Sequence, residues 1–342
     1  MGDTLVSVPV LWALRRKFPD ARFEYISEKP VNSRVVPADD VLDLVPEVSR
    51  TFLYEMESPS GERLRQIRRF FSPGPGDTLV YLCYQRTSVS AVLRDWLFFR
   101  LAGFRRIMGI GGALTDAIRG DVPIPGESEY ARLFRILDSA GMTLDPNVRA
   151  SLRADGDWAD CFWEECELNG SLVVAVCPGS KHQSTRWPAE RYGEVLSMFS
   201  GHSGLAFVLI GGENDRPVAE KIITAANAKV VSAVGCTLLQ TCAILSRADV
   251  YLGNDTGPMH LAALHGVPCV AVFSAFDRAG KWYPQGEGHT VLRKDLPCSF
   301  CLLEECFADP PVCLSAIEVD MVADALGEVL KKLRAAGELK AG

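Results

Sequence analysis

Apolar residues gather along this chain in short runs, separated by stretches in which they return every three or four positions. The runs read as strands and the stretches between them as helices. In the first half the predicted strands are Phe23–Ile26, Val41–Val45, Leu79–Cys83 and Arg106–Gly109, with helices over Val10–Phe18 and Ser88–Leu101. In the second half they are Leu172–Cys177, Ala206–Ile210, Val230–Val234, Asp249–Leu252 and Pro268–Phe273. Helices over Glu190–Phe199, Pro217–Ala226, Leu238–Ser246 and Met259–His265 separate those. The acidic, tryptophan-bearing stretch 156–170 fits no strand.

Such alternation implies parallel sheets wound by right-handed crossovers. The expected architecture is α/β, with two doubly wound domains facing each other across a cleft. The first covers residues 1–160 and the second 161–318. A last helix, 319–342, carries Met321, Leu326, Leu330 and Leu333 at helical spacing and is expected to pack back across the domains. Open parallel sheets bind ligands beyond the carboxyl ends of their strands. The loops after Cys177, Ile210, Leu252 and Phe273 are therefore expected to share one site.

Those loops hold the chemistry. After Leu252 comes Gly253-Asn254-Asp255-Thr256-Gly257-Pro258-Met259-His260, a strand end turning into a helix. Thr256 or Asp255 is placed to cap that helix, and Pro258 suits its first turn, where the missing N–H costs nothing. Gly257 leaves room for a ligand beside the free amides of a helix start, which suits a phosphate. Asp255 can accept sugar or ribose hydroxyls, and His260 lies within one turn. After Cys177, Lys181 and Arg186 can neutralise a diphosphate, arginine with a forked donor set. Glu213, after Gly211-Gly212, can accept two ribose hydroxyls, and Asp277 and Lys281 follow the last strand. Taken singly, each is an ordinary cap or surface charge. Four such loops in register favour a nucleotide-diphosphate site.

Charge and composition narrow the classes. The net charge of −7 over 342 residues argues against a broad nucleic-acid surface. No apolar run is long enough to span a bilayer, and no signal pattern opens the sequence. Eleven cysteines, without such a pattern, read as reduced thiols in a cytoplasmic setting. The chain has no GxxxxGK[ST] loop, and Gly109-Ile110-Gly111-Gly112 does not complete a dinucleotide fingerprint.

Taken together, Pro178-Gly179, Arg186-Trp187-Pro188-Ala189-Glu190-Arg191, Gly211-Gly212 and the Gly253–Ala262 run resemble glycosyltransferase family 9, the ADP-heptose:lipopolysaccharide heptosyltransferases and their relatives. Gly2-Asp3-Thr4-Leu5, Pro9–Leu14 and Phe18–Ala21 are similar to that family's opening. The resemblance implies a GT-B fold and a metal-independent, inverting transfer from an ADP-sugar donor to an anionic glycolipid acceptor of the lipopolysaccharide-core type. It implies Asp3 as general base, Arg186 on the donor phosphate, Glu213 on the nucleoside, and Asp255, Thr256, Gly257 and His260 on donor sugar and phosphate. It also implies a strand ahead of Gly2-Asp3 that this sequence does not include, the expectation being a start site assigned too far downstream. Where relatives often carry Gly-Pro-Thr, this chain has Ser274-Ala275-Phe276, which puts an aromatic ring at the rim of the donor site. Two other readings stay open at this point: a sugar-nucleotide epimerase, and a sugar-nucleotide-binding protein without turnover.

Two further patterns need a reading. Cys298, Cys301, Cys306 and Cys313 are compact enough in sequence to hold a structural zinc, although only the first pair has a common zinc spacing. Reduced thiols in a loop fit equally. Arg63, Arg65, Arg68 and Arg69 precede Phe70-Phe71, and Arg94, Arg100, Arg105 and Arg106 follow. Basic residues with exposed aromatics suit an anionic membrane surface, and solvated helix faces suit the same pattern.

Overall fold

The computed structural model describes residues 1–29, 36–55, 57–83, 88–120, 124 and 126–341. The chain divides into two units, one over Asp3–Leu152 and one beginning at Arg153.

The first unit opens with α1 (Gly2–Lys17), in which every residue from Thr4 to Leu14 is buried. A helix apolar on all sides belongs inside a fold. Strand β1 (Phe23–Glu28), helix α2 (Ala38–Leu42) and strand β2 (Val48–Tyr54) follow, with β1 and β2 paired in parallel. Next come α3 (Ser60–Phe71), β3 (Thr78–Val80), α4 (Val89–Ala102) and β4 (Arg106–Met108), with β3 and β4 forming a second parallel pair. Helices α5 (Ile110–Arg119) and α6 (Glu129–Asp138) complete the unit. Residues of both pairs, among them Ile26, Phe52, Leu79 and Ile107, pack around Ile67, Ala102 and Phe104.

The expected strand Val41–Val45 is not one. Pro37 precedes α2, Asp39 and Asp40 occupy its first turn, and Leu44 and Val45 continue as a turn bonded back to Val41 and Leu42. Carboxylates suit the positive end of a helix. The turn still buries Val41, Leu44 and Val45 completely, so the apolar run marks burial rather than pleating.

The second unit contains α7 (Gly156–Glu165), β5 (Leu172–Cys177), α8 (Ala189–Met198), β6 (Leu205–Leu209), α9 (Arg216–Ala225), β7 (Val230–Ser232), α10 (Leu238–Arg247), β8 (Val250–Asn254), α11 (Gly257–Leu264), β9 (Cys269–Phe273), β10 (Thr290–Arg293), α12 (Val312–Ser315) and α13 (Val319–Ala341). The stretch from 156 is thus helical at its start, capped by Asp155, whose carboxylate accepts from the Trp158 amide at 3.2 Å. Six strands form one sheet in the order β10-β9-β8-β5-β6-β7, every pair parallel. The central strands are buried along almost their whole length, as continuous β-branched runs require when helices cover both faces. Val174, Leu209, Leu252 and Val272 meet Trp187, Ile222, Leu326 and Leu330 in one core. Among the described residues no helix is long and apolar enough to cross a membrane.

Candidate functional site

Sheet order makes β9, β8, β5 and β6 consecutive neighbours. Because they are parallel, their carboxyl-end loops lie side by side, as the sequence implied. The hub is Asn254, the last residue of β8 and wholly buried. Its Oδ1 accepts from the Trp187 amide at 3.1 Å and the Tyr192 hydroxyl at 3.0 Å. Its Nδ2 donates to the carbonyls of Pro178, at 2.7 Å, and Gly179, at 3.4 Å. One side chain thereby ties the β8 end to the turn after β5 and to the segment leading into α8. A buried amide with every bond made rigidifies its surroundings.

That tie sets Arg186. Trp187 is fully buried, its indole N–H donating to the Ile317 carbonyl at 3.1 Å and its ring edge-on to Tyr192. The preceding side chain then faces outward: Arg186 is exposed and donates to the Ser180 carbonyl at 2.7 Å. Lys181 is also exposed; burial and the nearby Lys181 charge lower the His182 pKa.

Asp215 is a site residue that motif reading passed over. It follows β6, accepts from the Gly212 amide at 2.9 Å, and sits so close to two turns that a Cβ on Gly179 or Gly211 would come within 2.5 or 2.7 Å of it. Burial raises its pKa, opposed by the Gly212 amide and the Arg186 charge. The signal was available in the two glycine turns flanking a carboxylate. Glu213 itself is exposed and gripped by Arg216, Nη2 to Oε2 at 2.9 Å, which lowers its pKa.

Helix α11 begins at Gly257 with Pro258 in its first turn. Thr256 occupies the N-cap position, but its side chain makes no cap hydrogen bond. The Thr256 hydroxyl lies 3.3 Å from the Tyr251 hydroxyl and 3.4 Å from the Asn254 carbonyl instead, because β8 continues two residues further than its apolar run implied. Asp255 is half-buried. His260 is buried, and burial depresses its pKa to about 4, so the imidazole is neutral. After β9, Asp277 accepts from Lys281 at 2.8 Å, the Trp282 indole at 2.9 Å and the Arg278 amide at 2.7 Å. Burial alone would raise its pKa; these donors hold it below the usual carboxylate value. Phe276 stacks on His182 with centroids 5.7 Å apart.

Asp3 lies in the other unit, exposed in the first turn of α1. Of the two readings open for the cysteines, the zinc site is not formed: among the described residues no three His, Cys, Asp or Glu side chains are arranged to hold a metal. Cys298 and Cys301 are exposed, whereas Cys313 is buried in the sheet core with its sulfur accepting from the Ala275 amide at 3.4 Å. Core packing buries one of the cysteines that sequence spacing grouped and leaves two of the others exposed. Phe70 and Phe71 are likewise not surface aromatics: both are half-buried against Phe52, with Arg50 over Phe70.

Polar groups gathered beyond the carboxyl ends of a parallel sheet, in a chain of two α/β units, are the arrangement of the GT-B class, and solved structures share the fold. The E. coli ADP-heptose lps heptosyltransferase II matches with TM-score 0.67 and 19% identity over 96% of each chain. The glycosyl transferase family 9 protein from Veillonella parvula matches with TM-score 0.69 and 19% identity, covering 97% of this chain and 94% of that one. In sequence, residues 149–311 match the model of glycosyltransferase family 9 (heptosyltransferase). Lipooligosaccharide heptosyltransferase 2 of Campylobacter jejuni is 28% identical over 171 residues, 48% of this chain and 52% of that protein. Lipopolysaccharide heptosyltransferase 2 of Salmonella typhimurium is 30% identical over 107 residues, 30% of this chain and 30% of that protein. The chain spans about half the length of the first two curated relatives it matches.

Proposed function

We propose that the protein is a cytoplasmic, inverting glycosyltransferase. It moves heptose or a related sugar from an ADP-sugar to a lipopolysaccharide-core-type acceptor, working at the inner face of the cytoplasmic membrane. The observation that carries this reading is the Asn254 hub, which fixes the Arg186–Trp187 peptide to the strand end from which α11 starts. A guanidinium and a helix N-terminus on one strand-end cluster are a diphosphate site. E. coli heptosyltransferase WaaC, similar in fold with TM-score 0.66, has been solved with ADP, which supports adenine as the donor base.

In the proposed reaction an acceptor hydroxyl attacks the anomeric carbon from the side opposite the diphosphate, which inverts that centre. Asp3 takes the hydroxyl proton as general base. Arg186 and the amides at the start of α11 stabilise the charge growing on the leaving diphosphate. Because the protein supplies that charge, the step is proposed to run without a divalent ion. Asp255 and Glu213 hold donor hydroxyls, Thr256, Gly257 and His260 line the same loop, and Lys181 is an outer phosphate contact. The neutral imidazole of His260 fits a hydrogen-bonding role rather than a counter-charge.

Calorimetric titration with ADP and with UDP, without added metal, tests the donor site. ADP is expected to bind, Arg186→Ala to weaken it by about ten- to a hundredfold, and Asp3→Asn to leave it unchanged while abolishing most transfer. Equal ADP affinity in Arg186→Ala would remove the site from where it is placed here, and full transfer by Asp3→Asn would remove the base.

A further inference from the structure

Helix α4 is built inside out. Its only acid, Asp95, turns inward to accept from the Tyr81 hydroxyl at 2.8 Å. Its apolar side chains Val89, Leu93, Trp96, Leu97 and Leu101 face outward, the last four between 43% and 51% exposed. At 100° per residue, positions 89, 93, 96, 97 and 101 fall on one side of the helix, and exposed Arg94 and Arg100 lie on that side or at its border. The helix's single carboxylate also accepts from Arg94, Nη2 to Oδ1 at 3.1 Å, which leaves Arg100 as the main positive charge of this face. More positive charge surrounds its carboxyl end: Arg105 and Arg106 follow it, and Arg68 of α3 donates to the Leu101 carbonyl.

Scattered exposed apolar residues need no explanation, but a stripe more than two turns long on one helix does. We propose that the outward face of α4 is the surface by which this protein docks on an anionic lipid bilayer. Leucines and a tryptophan enter the headgroup boundary while the arginines pair with lipid phosphates. Charge selects this occupant. A second copy meeting the face about a two-fold axis would bring arginine against arginine, whereas a bilayer rich in anionic headgroups complements them. A whole-chain charge of −7 would repel such a surface unless a local patch reversed the sign. The Phe70-Phe71 pair singled out by sequence is too buried to serve; the exposed apolar surface is on the neighbouring helix. The proposal localises the membrane contact of the proposed function and rests on that reading for its use, but not for its test.

The test is co-sedimentation of the purified full chain with vesicles of phosphatidylethanolamine and phosphatidylglycerol, and with vesicles of phosphatidylcholine alone. The wild type is expected to sediment with the anionic vesicles and only weakly with the neutral ones, the difference shrinking in high salt. Replacing Leu93, Trp96 and Leu97 together by glutamine is expected to cut binding more than tenfold, and Arg94→Gln by about fivefold. All three positions are exposed, and an unchanged far-ultraviolet circular dichroism spectrum and urea midpoint verify the fold of each variant. A wild type that ignores anionic vesicles, or a triple variant that binds them as well, overturns the proposal. So does light scattering that shows a dimer which the triple variant dissolves, with no vesicle binding. Since vesicle binding and ADP binding are read separately, loss of one says nothing about the other.

Discussion

The two units solve the same problem in different ways. In the second, one six-stranded parallel sheet forms the interior, and Val174, Val176, Leu209, Leu252 and Val270 are entirely shielded from solvent. In the first, the described strands form two separate pairs whose residues are mostly half-exposed. Its burial is concentrated in α1 and in a set of charges between α5 and α6. Arg132, 3% exposed, pairs with Glu129 at 2.6 Å and Asp116 at 3.3 Å, and also donates to the Cys83 carbonyl after β3. Arg135 bonds Asp116 at 2.9 Å and Glu127 at 2.6 Å. Burial opposes the charge on Arg132, yet its bonds to Glu129 and Asp116 outweigh that and raise its pKa. A sheet distributes its stability over many apolar contacts, whereas an ionic hub concentrates it in a few side chains that fail badly when broken.

Breaking the hub of the first unit is the sharpest way to test that contrast. Arg132→Met removes both guanidinium bonds to buried Glu129 and leaves Asp116 to Arg135, and should cost about 4 kcal/mol in urea unfolding. A loss near zero would mean that the strand pairs carry the unit after all. The corresponding change in the second unit is Asn254→Ala, which strands the Trp187 amide and the Pro178 carbonyl in a dry interior. It should cost about 3 kcal/mol, and weaken ADP binding as well because Arg186 loses its anchor. If stability falls with ADP affinity intact, Asn254 is a structural tie only.

The smallest effect is acid-linked. Burial depresses the His265 pKa to about 4, from an ordinary value of 6.5, with its ring 3.2 Å from the Cys242 sulfur. A lowered imidazole pKa means the folded state binds its proton later than the unfolded one. Its contribution is therefore complete above pH 6.5 and drains away as pH falls towards 4, with about 2 kcal/mol gone by pH 5. His265→Leu should flatten that part of the stability curve. An unchanged slope would assign the acid sensitivity in this range elsewhere, for instance to His260, whose pKa burial also depresses to about 4.

Legibility divided along the same line as stability. The strands of the second unit could be read within a residue or two because their apolar runs are continuous, which is what burial on both faces demands. β2 and β10 escaped notice. The first, Val48–Tyr54, mixes Ser, Arg and Thr into its run, and the second, Thr290–Arg293, is an edge strand of four residues. The stretch Val41–Val45 failed the other way, since a short apolar run fits a strand and a buried turn equally well. At the candidate site the glycine turns, Arg186 and the α11 start were visible as motif pieces, whereas Asp215 and the Asn254 bonds were not.

The sequence by itself determined the α/β class, the order of strands and helices in the second unit, and which loops carry charge and glycine. Those properties follow from local periodicity and residue chemistry, which neighbours in sequence suffice to express. Only the tertiary structure decided that Asn254 joins residues 178 and 187, that Cys313 is buried in the core while Cys298 and Cys301 stay exposed, and that α4 presents leucines rather than arginines alone to the outside. Each depends on which face of an element another element covers, and that is settled by packing across long separations in the chain.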